Sequence, residues 1–178
     1  MAYINKFDKD GKCSQEGHSA EDLFEAIAKS KNYLVTRATR SENMHKHIDM
    51  FLEGRDSKTK NKKTISVDIK ASKRTSRRDK EFNYEWVWIE IKNVQGKNGW
   101  LFGEADFIAF EQKDDFLLVP RKTLVNFIKS NVRFDLDLVD RAAHAKYRIY
   151  QRKGRRDQIT QIKLKDLLTL KNIISWKK

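Results

Sequence analysis

Cysteine is almost absent: Cys13 is the only one, and Pro120 is the only proline. One thiol cannot close an internal disulfide or build a cysteine-based zinc site. A reducing compartment, the cytoplasm (a host's cytoplasm for a phage-encoded chain), is therefore expected. No run of about 18 apolar residues occurs, so no membrane-spanning helix and no membrane partner are expected. Behind Met1–Lys6 no apolar signal core follows, so secretion is not expected either. No repeat and no low-complexity linker interrupts the chain. Its 178 residues fit one domain, since domains commonly run to about 100–200 residues. The expected layout is a single domain over 1–178, with a core over about 17–130 and a basic hairpin and helix over 141–178.

What the sequence has in excess is positive charge. Lys plus Arg number 38 and Asp plus Glu 25, a formal net charge of +13. A polyanion is the natural partner of such a surface. The basic residues gather in two places. The first includes Lys70, Lys73, Arg74, Arg77 and Arg78; the second includes Lys146, Arg148, Arg152, Lys153, Arg155 and Arg156. Clustered charge attracts phosphates more strongly than the same charge spread evenly. Lys73, Arg74, Arg77, Arg78, Arg152, Arg155 and Arg156 are the candidate nucleic-acid contacts.

The pattern predicts a helix from Ser19, an N-capping residue, to about Asn32, with Leu23, Phe24, Ile27 and Ala28 as its apolar stripe. Alternation predicts strands over 33–38, 47–53, 64–71 and 85–94, then short strands over 107–111 and 116–119. A helix is expected over 122–130, a hairpin of 147–151 with 158–164 around Gly154, and a last short helix over 164–170. The fold class is α/β: a mixed central sheet flanked by helices.

Two of these strands carry charge where apolar residues prevail. Asp49 lies among Ile48, Met50 and Leu52; Asp68 and Lys70 alternate with Val67 and Ile69, on one face of their strand. Charges in such strands cost stability unless they are paired or bind a metal. Phosphodiester hydrolysis needs an activated water, neutralisation of the transition state and help for the leaving oxygen. Mg²⁺ or Mn²⁺ held by carboxylates supplies these, and a lysine beside it stabilises developing negative charge. A second register, Asp68 with Glu90 and Lys92, stays open. So does a solvated strand face with cross-strand ion pairs. His45 and His47 read as strand-face or surface histidines, and Trp86 and Trp88 as sheet cover. Trp100, beside Gly99, is the better surface contact for a base. Asp106 reads either as an accessory acid or as a cap of the Gly103 loop.

The order helix with glutamate, strand, strand with Asp49, strand with Asp68-Ile69-Lys70 resembles the PD-(D/E)XK nuclease superfamily. Gly17-His18-Ser19-Ala20-Glu21 resembles its resolvase-like opening, and His47-Ile48-Asp49 and Ser66–Ala71 its two metal-binding strands. The stretch from Trp88 to Phe110 resembles phage-encoded members. Ile48 stands where the superfamily often has proline, and the lysine motif carries aspartate rather than glutamate. The resemblance spans roughly 17–119 and implies a restriction endonuclease-like fold. It also implies a metal-dependent DNA endonuclease, acting on structured DNA as junction resolvases do. Asp49 and Asp68 would hold Mg²⁺ (or Mn²⁺), Glu21 would complete the site, and Lys70 would position the water. Glu21 is preferred to Glu25 because it lies closer to the apolar stripe. A homodimer is compatible with this reading. The reading from a different class is a non-catalytic or inhibitory nucleic-acid-binding protein using the same basic surface.

Overall fold

The computed structural model describes residues 12–55, 61–75 and 79–178. In chain order the elements are α1 (Lys12–Ser30), β1 (Leu34–Arg37), α2 (Arg40–Lys46), β2 (Met50–Arg55), β3 (Lys62–Lys70) and β4 (Trp86–Lys92). They continue with β5 (Phe107–Glu111), β6 (Asp115–Pro120), α3 (Arg121–Asn131), β7 (Gln158–Lys163), α4 (Leu164–Leu167) and β8 (Ile174–Lys177). The α/β class and the mixed sheet expected from the sequence are what the chain forms.

The six-stranded sheet has the order β1-β2-β3-β5-β6-β8. β3 is its pivot. It pairs antiparallel with β2, Met50 opposite Val67, and parallel with β5, Val67 opposite Phe107. A parallel neighbour requires a crossover, and here residues 71–106 supply it. That crossover contains β4, which does not enter the main sheet. β4 pairs instead with β7 in a separate two-stranded ribbon, Trp88 opposite Gln161. The strand expected over 85–94 is thus real, but it lies over the sheet and not within it.

Each face of the main sheet buries its own core. On one face α1 sets Ala20, Phe24, Ile27 and Ala28 against Met50, Leu52, Val67, Ile69, Ala109, Phe116 and Leu118. The spacing 20, 24, 27, 28 is one helical stripe. Leu23, expected in that stripe, is instead 37 % exposed. On the other face the ribbon and α3 cover Ile108, Phe110, Leu117 and Val119. Ile48 packs on this second side, away from Met50, because β2 begins only at Met50, after His47 has turned the chain at φ 54°.

α1 begins well before Ser19. Its first turns are polar and need no core, and Glu16 is tied to Arg74 at 2.8 Å. Asn32, at φ 64°, ends it in the left-handed conformation. α2 and β8 have no counterpart in the sequence reading. The hairpin expected around Gly154 is reduced: Tyr150 bridges Ile159, while β7 gives its main pairing to β4. Gly99 permits a close approach, since a Cβ there would lie 2.6 Å from the Glu90 carbonyl oxygen. The 3₁₀ turn Trp100–Phe102 can therefore pack tightly under β4.

Phe24 is fully buried, edge-on to Phe116 and stacked on Trp176, both at 5.2 Å between ring centroids. It holds α1, and with it Glu21 one turn earlier, on the sheet. Phe24→Ala is expected to lower stability by about 3–5 kcal/mol, measured by denaturant unfolding. A loss under ~1 kcal/mol would show that α1 is anchored elsewhere.

Candidate functional site

β3 is flanked on both sides, so Asp68 has no route to solvent along the sheet. The residue is 1 % exposed. Its Oδ1 accepts from the Lys70 ammonium at 2.5 Å, two residues along the same face. Its Oδ2 is buried and has no hydrogen-bond partner.

Asp49 sits just before β2, opposite this pair. Beyond the last β2–β3 pair the Ile69 N–H has no strand carbonyl, and it donates to Asp49 Oδ2 at 2.7 Å. The other oxygen, Oδ1, accepts from the Asn43 amide of α2. α2 is itself fixed by a capping box. The Glu42 N–H donates to the Thr39 hydroxyl at 3.3 Å, and the Thr39 N–H donates to Glu42 at 2.8 Å. The sequence signal Thr39-x-x-Glu42 was present, and it is what the sequence reading passed over. Asn43, which holds Asp49, belongs to the helix that this box begins.

Asp49 and Asp68 lie within hydrogen-bonding reach of each other. Ionised carboxylates only accept, so their closeness is relieved by a proton or by a cation, and the Lys70 ammonium is one such cation. Burial pushes the Asp68 carboxyl well above the usual aspartate range; Asp49 pushes the same way, and Lys70 pulls against both. For Lys70, burial opposes its charge, but Asp68 and Asp49 outweigh it and hold its pKa above the ordinary lysine value. Glu21 is raised by burial and then by Asp49, against the pull of His18, Arg37 and Lys70. His47 is lowered by burial and by Lys70.

The structure therefore brings Glu21, Asp49, Asp68 and Lys70 into one electrostatic neighbourhood. Glu25 is kept out of it, paired with Lys29 at 2.6 Å and Arg37 at 2.7 Å. The rival register is split. Glu90 faces Lys70, which draws its burial-raised pKa back down, whereas Lys92 is exposed at the end of β4. Asp106 is tied to β3: its Oδ2 accepts from the Ser66 N–H and hydroxyl, both at 2.9 Å.

Among the described residues no three His, Cys, Asp or Glu side chains converge as a metal cage. Two carboxylates in contact, one with an orphaned buried oxygen, nonetheless fit a hard cation. Mg²⁺ typically takes one or two carboxylates and fills its other positions with water and phosphate.

The basic candidates fall into distinct settings. Lys73 is exposed. Arg74 pairs with Glu16 and lies over the Phe82 ring at 4.4 Å. Arg77 and Arg78 lie outside the described residues. Arg152 is bound to the fully buried Asp157. Arg155 is half-buried, and Arg156 is exposed with its chain against Gly96. The tryptophans reverse the sequence expectation. Trp100 is only 9 % exposed, edge-on to Phe110 in the core. Trp86 and Trp88 are half-buried on the open face of β4, because Val87, Ile89 and Ile91 take its core face.

Comparison of the chain and its fold with protein families, characterised proteins and solved structures returns no match. No helix among the described residues is long and apolar enough to cross a membrane.

The carboxylate contact has a pH signature. The folded protein holds the Asp68 proton more tightly than the unfolded chain does. This contribution to stability is complete below the unfolded aspartate pKa of about 3.9 and is lost as pH rises through the raised folded value. Without divalent metal, stability is expected to decline across that window, and Asp68→Asn should flatten the decline. Denaturant midpoints at a series of pH values measure it; equal slopes for both proteins would contradict the assignment.

Proposed function

We propose that the chain is a divalent-metal-dependent DNA endonuclease of the PD-(D/E)XK type. The observation that supports this reading is the closeness of Asp49 to the buried Asp68, one of whose oxygens has no partner while the other bonds the Lys70 ammonium.

In this reading Asp49 and Asp68 would hold Mg²⁺ or Mn²⁺, and Glu21 would complete the site. When bound, the cation polarises the phosphate and lowers the pKa of a water in its shell. The rest is done by the chain's own groups. Asn43 and the Ile69 N–H fix both oxygens of Asp49, so little reorganisation remains when substrate arrives. Lys70, held cationic by its acidic neighbours, turns from Asp68 to orient the water and to neutralise charge growing on the phosphate. Glu90 faces Lys70 from the ribbon and adds to the acidic field that keeps it charged. Lys73 and Arg156, both exposed, would hold the phosphate backbone. Structured DNA, as at junctions, is the substrate proposed.

One observation favours the second reading, a non-catalytic nucleic-acid binder. Asp68 and Lys70 already form an ion pair, and among the described residues no group of three metal-binding side chains forms around it. The two readings part on a single experiment. Incubated with Mg²⁺ or Mn²⁺, the protein is expected to cut duplex or branched DNA. Asp68→Asn should abolish cutting, and Lys70→Ala should slow it about hundredfold or more. Cutting that survives both substitutions overturns the site; DNA binding without any cutting supports the binder.

Cation binding is testable apart from chemistry. Mg²⁺ or Mn²⁺ well above its Kd should raise Tm, since a ligand that binds only the folded state stabilises it. Asp68→Asn should lose that rise. An equal rise in both proteins would place the cation elsewhere.

A further inference from the structure

Beside the candidate site, and sharing Lys70 as a wall, a cleft of about 90 Å³ opens between the main sheet and the β4–β7 ribbon. Trp86, Trp88, Trp100, Phe110 and Gln112 line it with Lys70. It is an aromatic slot with a cationic rim. The Lys70 ammonium lies 5.2 Å from the Trp100 ring centroid, and Lys146 and Lys163 lie 4.5 Å and 5.6 Å from that of Trp86. The acids nearby are engaged: Glu111 accepts from the Ser72 N–H at 3.0 Å and from Lys178 at 2.9 Å, and Glu85 pairs with Lys163 at 3.1 Å.

One polar group in the cleft is unaccounted for. Gln112 is 7 % exposed, and its Oε1 is buried with no hydrogen-bond partner. A buried amide oxygen left unpaired costs free energy, and a ligand N–H would satisfy it. Trp88, by contrast, has its N–H satisfied by the Arg74 carbonyl at 3.2 Å, so its ring presents a face and no polar demand.

We propose that this cleft takes one unpaired nucleobase of the bound strand, stacked on the tryptophans with an N–H edge on Gln112, next to the phosphate handled by Lys70. The inference rests on the reading of Asp49, Asp68 and Lys70 as a phosphate-handling site, and it narrows the substrate to DNA with an unpaired nucleotide beside the cut. The chemistry of the walls selects the ligand class. A cationic guest is repelled by Lys70, Lys146 and Lys163. A neutral apolar guest leaves Gln112 unpaired. A flat heterocycle on a phosphate chain satisfies the rings, the amide and the cations together. The slot is on the scale of a single base, so a paired base must leave its partner to enter.

The test needs no cleavage and is run in EDTA. The probe is a short duplex with a three-nucleotide unpaired tail, compared by fluorescence anisotropy with the same DNA carrying abasic residues in the tail. The abasic tail keeps every phosphate and removes only the bases. The base-bearing probe is expected to bind about tenfold tighter, the scale of one base–aromatic stack. Trp86→Leu and Gln112→Leu should each shrink that ratio towards one; either variant suffices if the other fails to fold. Equal affinity of the two probes for the wild-type protein overturns the inference, as does a ratio that survives both substitutions. Failure of the nuclease reading looks different: the base preference persists while no DNA is cut. Failure of the cleft alone leaves Asp68-dependent cutting with no base preference.

Discussion

Two carboxylates that only accept hydrogen bonds are held against each other by the backbone of a sheet, and much of the molecule is arranged around that contact. Asp68 cannot retreat, because β3 is hydrogen-bonded on both edges. Asp49 cannot turn away, because Asn43 and the Ile69 N–H each hold one of its oxygens. Burial raises the cost of leaving both charged. One lysine partly offsets that cost by bonding one oxygen of Asp68 and leaving the other orphaned. Removing one member of such a buried set costs more than the set contributes as a whole. The arrangement is thus poor as a stabilising device.

The ribbon of β4 and β7 gives this contact its surroundings. By leaving the main sheet, β4 places Glu90 opposite Lys70 and sets Trp86 and Trp88 along one wall of a slot. The same departure lets β5 lie parallel to β3, which puts Phe110 beside Lys70 in the sheet register and Gln112 just beyond. The acidic contact and the aromatic slot are therefore two results of one topological choice. The proposed anion handling and base stacking would need no separate scaffolds, since Lys70 belongs to both.

The parts legible in the sequence were those governed by local period. Alternation marked β3 and the stray charges on it, so Asp68 and Lys70 stood out against Val67 and Ile69. Helical spacing placed Glu21 nearer the stripe than Glu25, and Glu21 lies in the field of Asp49 and Lys70, although Leu23 faces outward. What local pattern could not convey was which strand lies beside which. Nothing in Trp86–Lys92 distinguishes a strand in the main sheet from one laid across it. The tryptophans were misjudged for that reason: an exposed face of β4 exists only because the ribbon stands apart. α2 escaped notice because its residues are all at least partly exposed and show no apolar stripe, and only its Thr39–Glu42 box betrays it. The second basic cluster looked like a free surface, yet Asp157, five residues after Arg152, draws that guanidinium inward.

Whether the carboxylate contact is a cation site is decided most directly by crystals soaked in Mn²⁺ and measured at an anomalous-scattering wavelength. An anomalous peak between the Asp49 and Asp68 carboxylates, with the orphaned Asp68 Oδ2 among its ligands, is the result expected. A crystal with no peak there, the Lys70–Asp68 ion pair intact and Mn²⁺ bound only elsewhere, would contradict it.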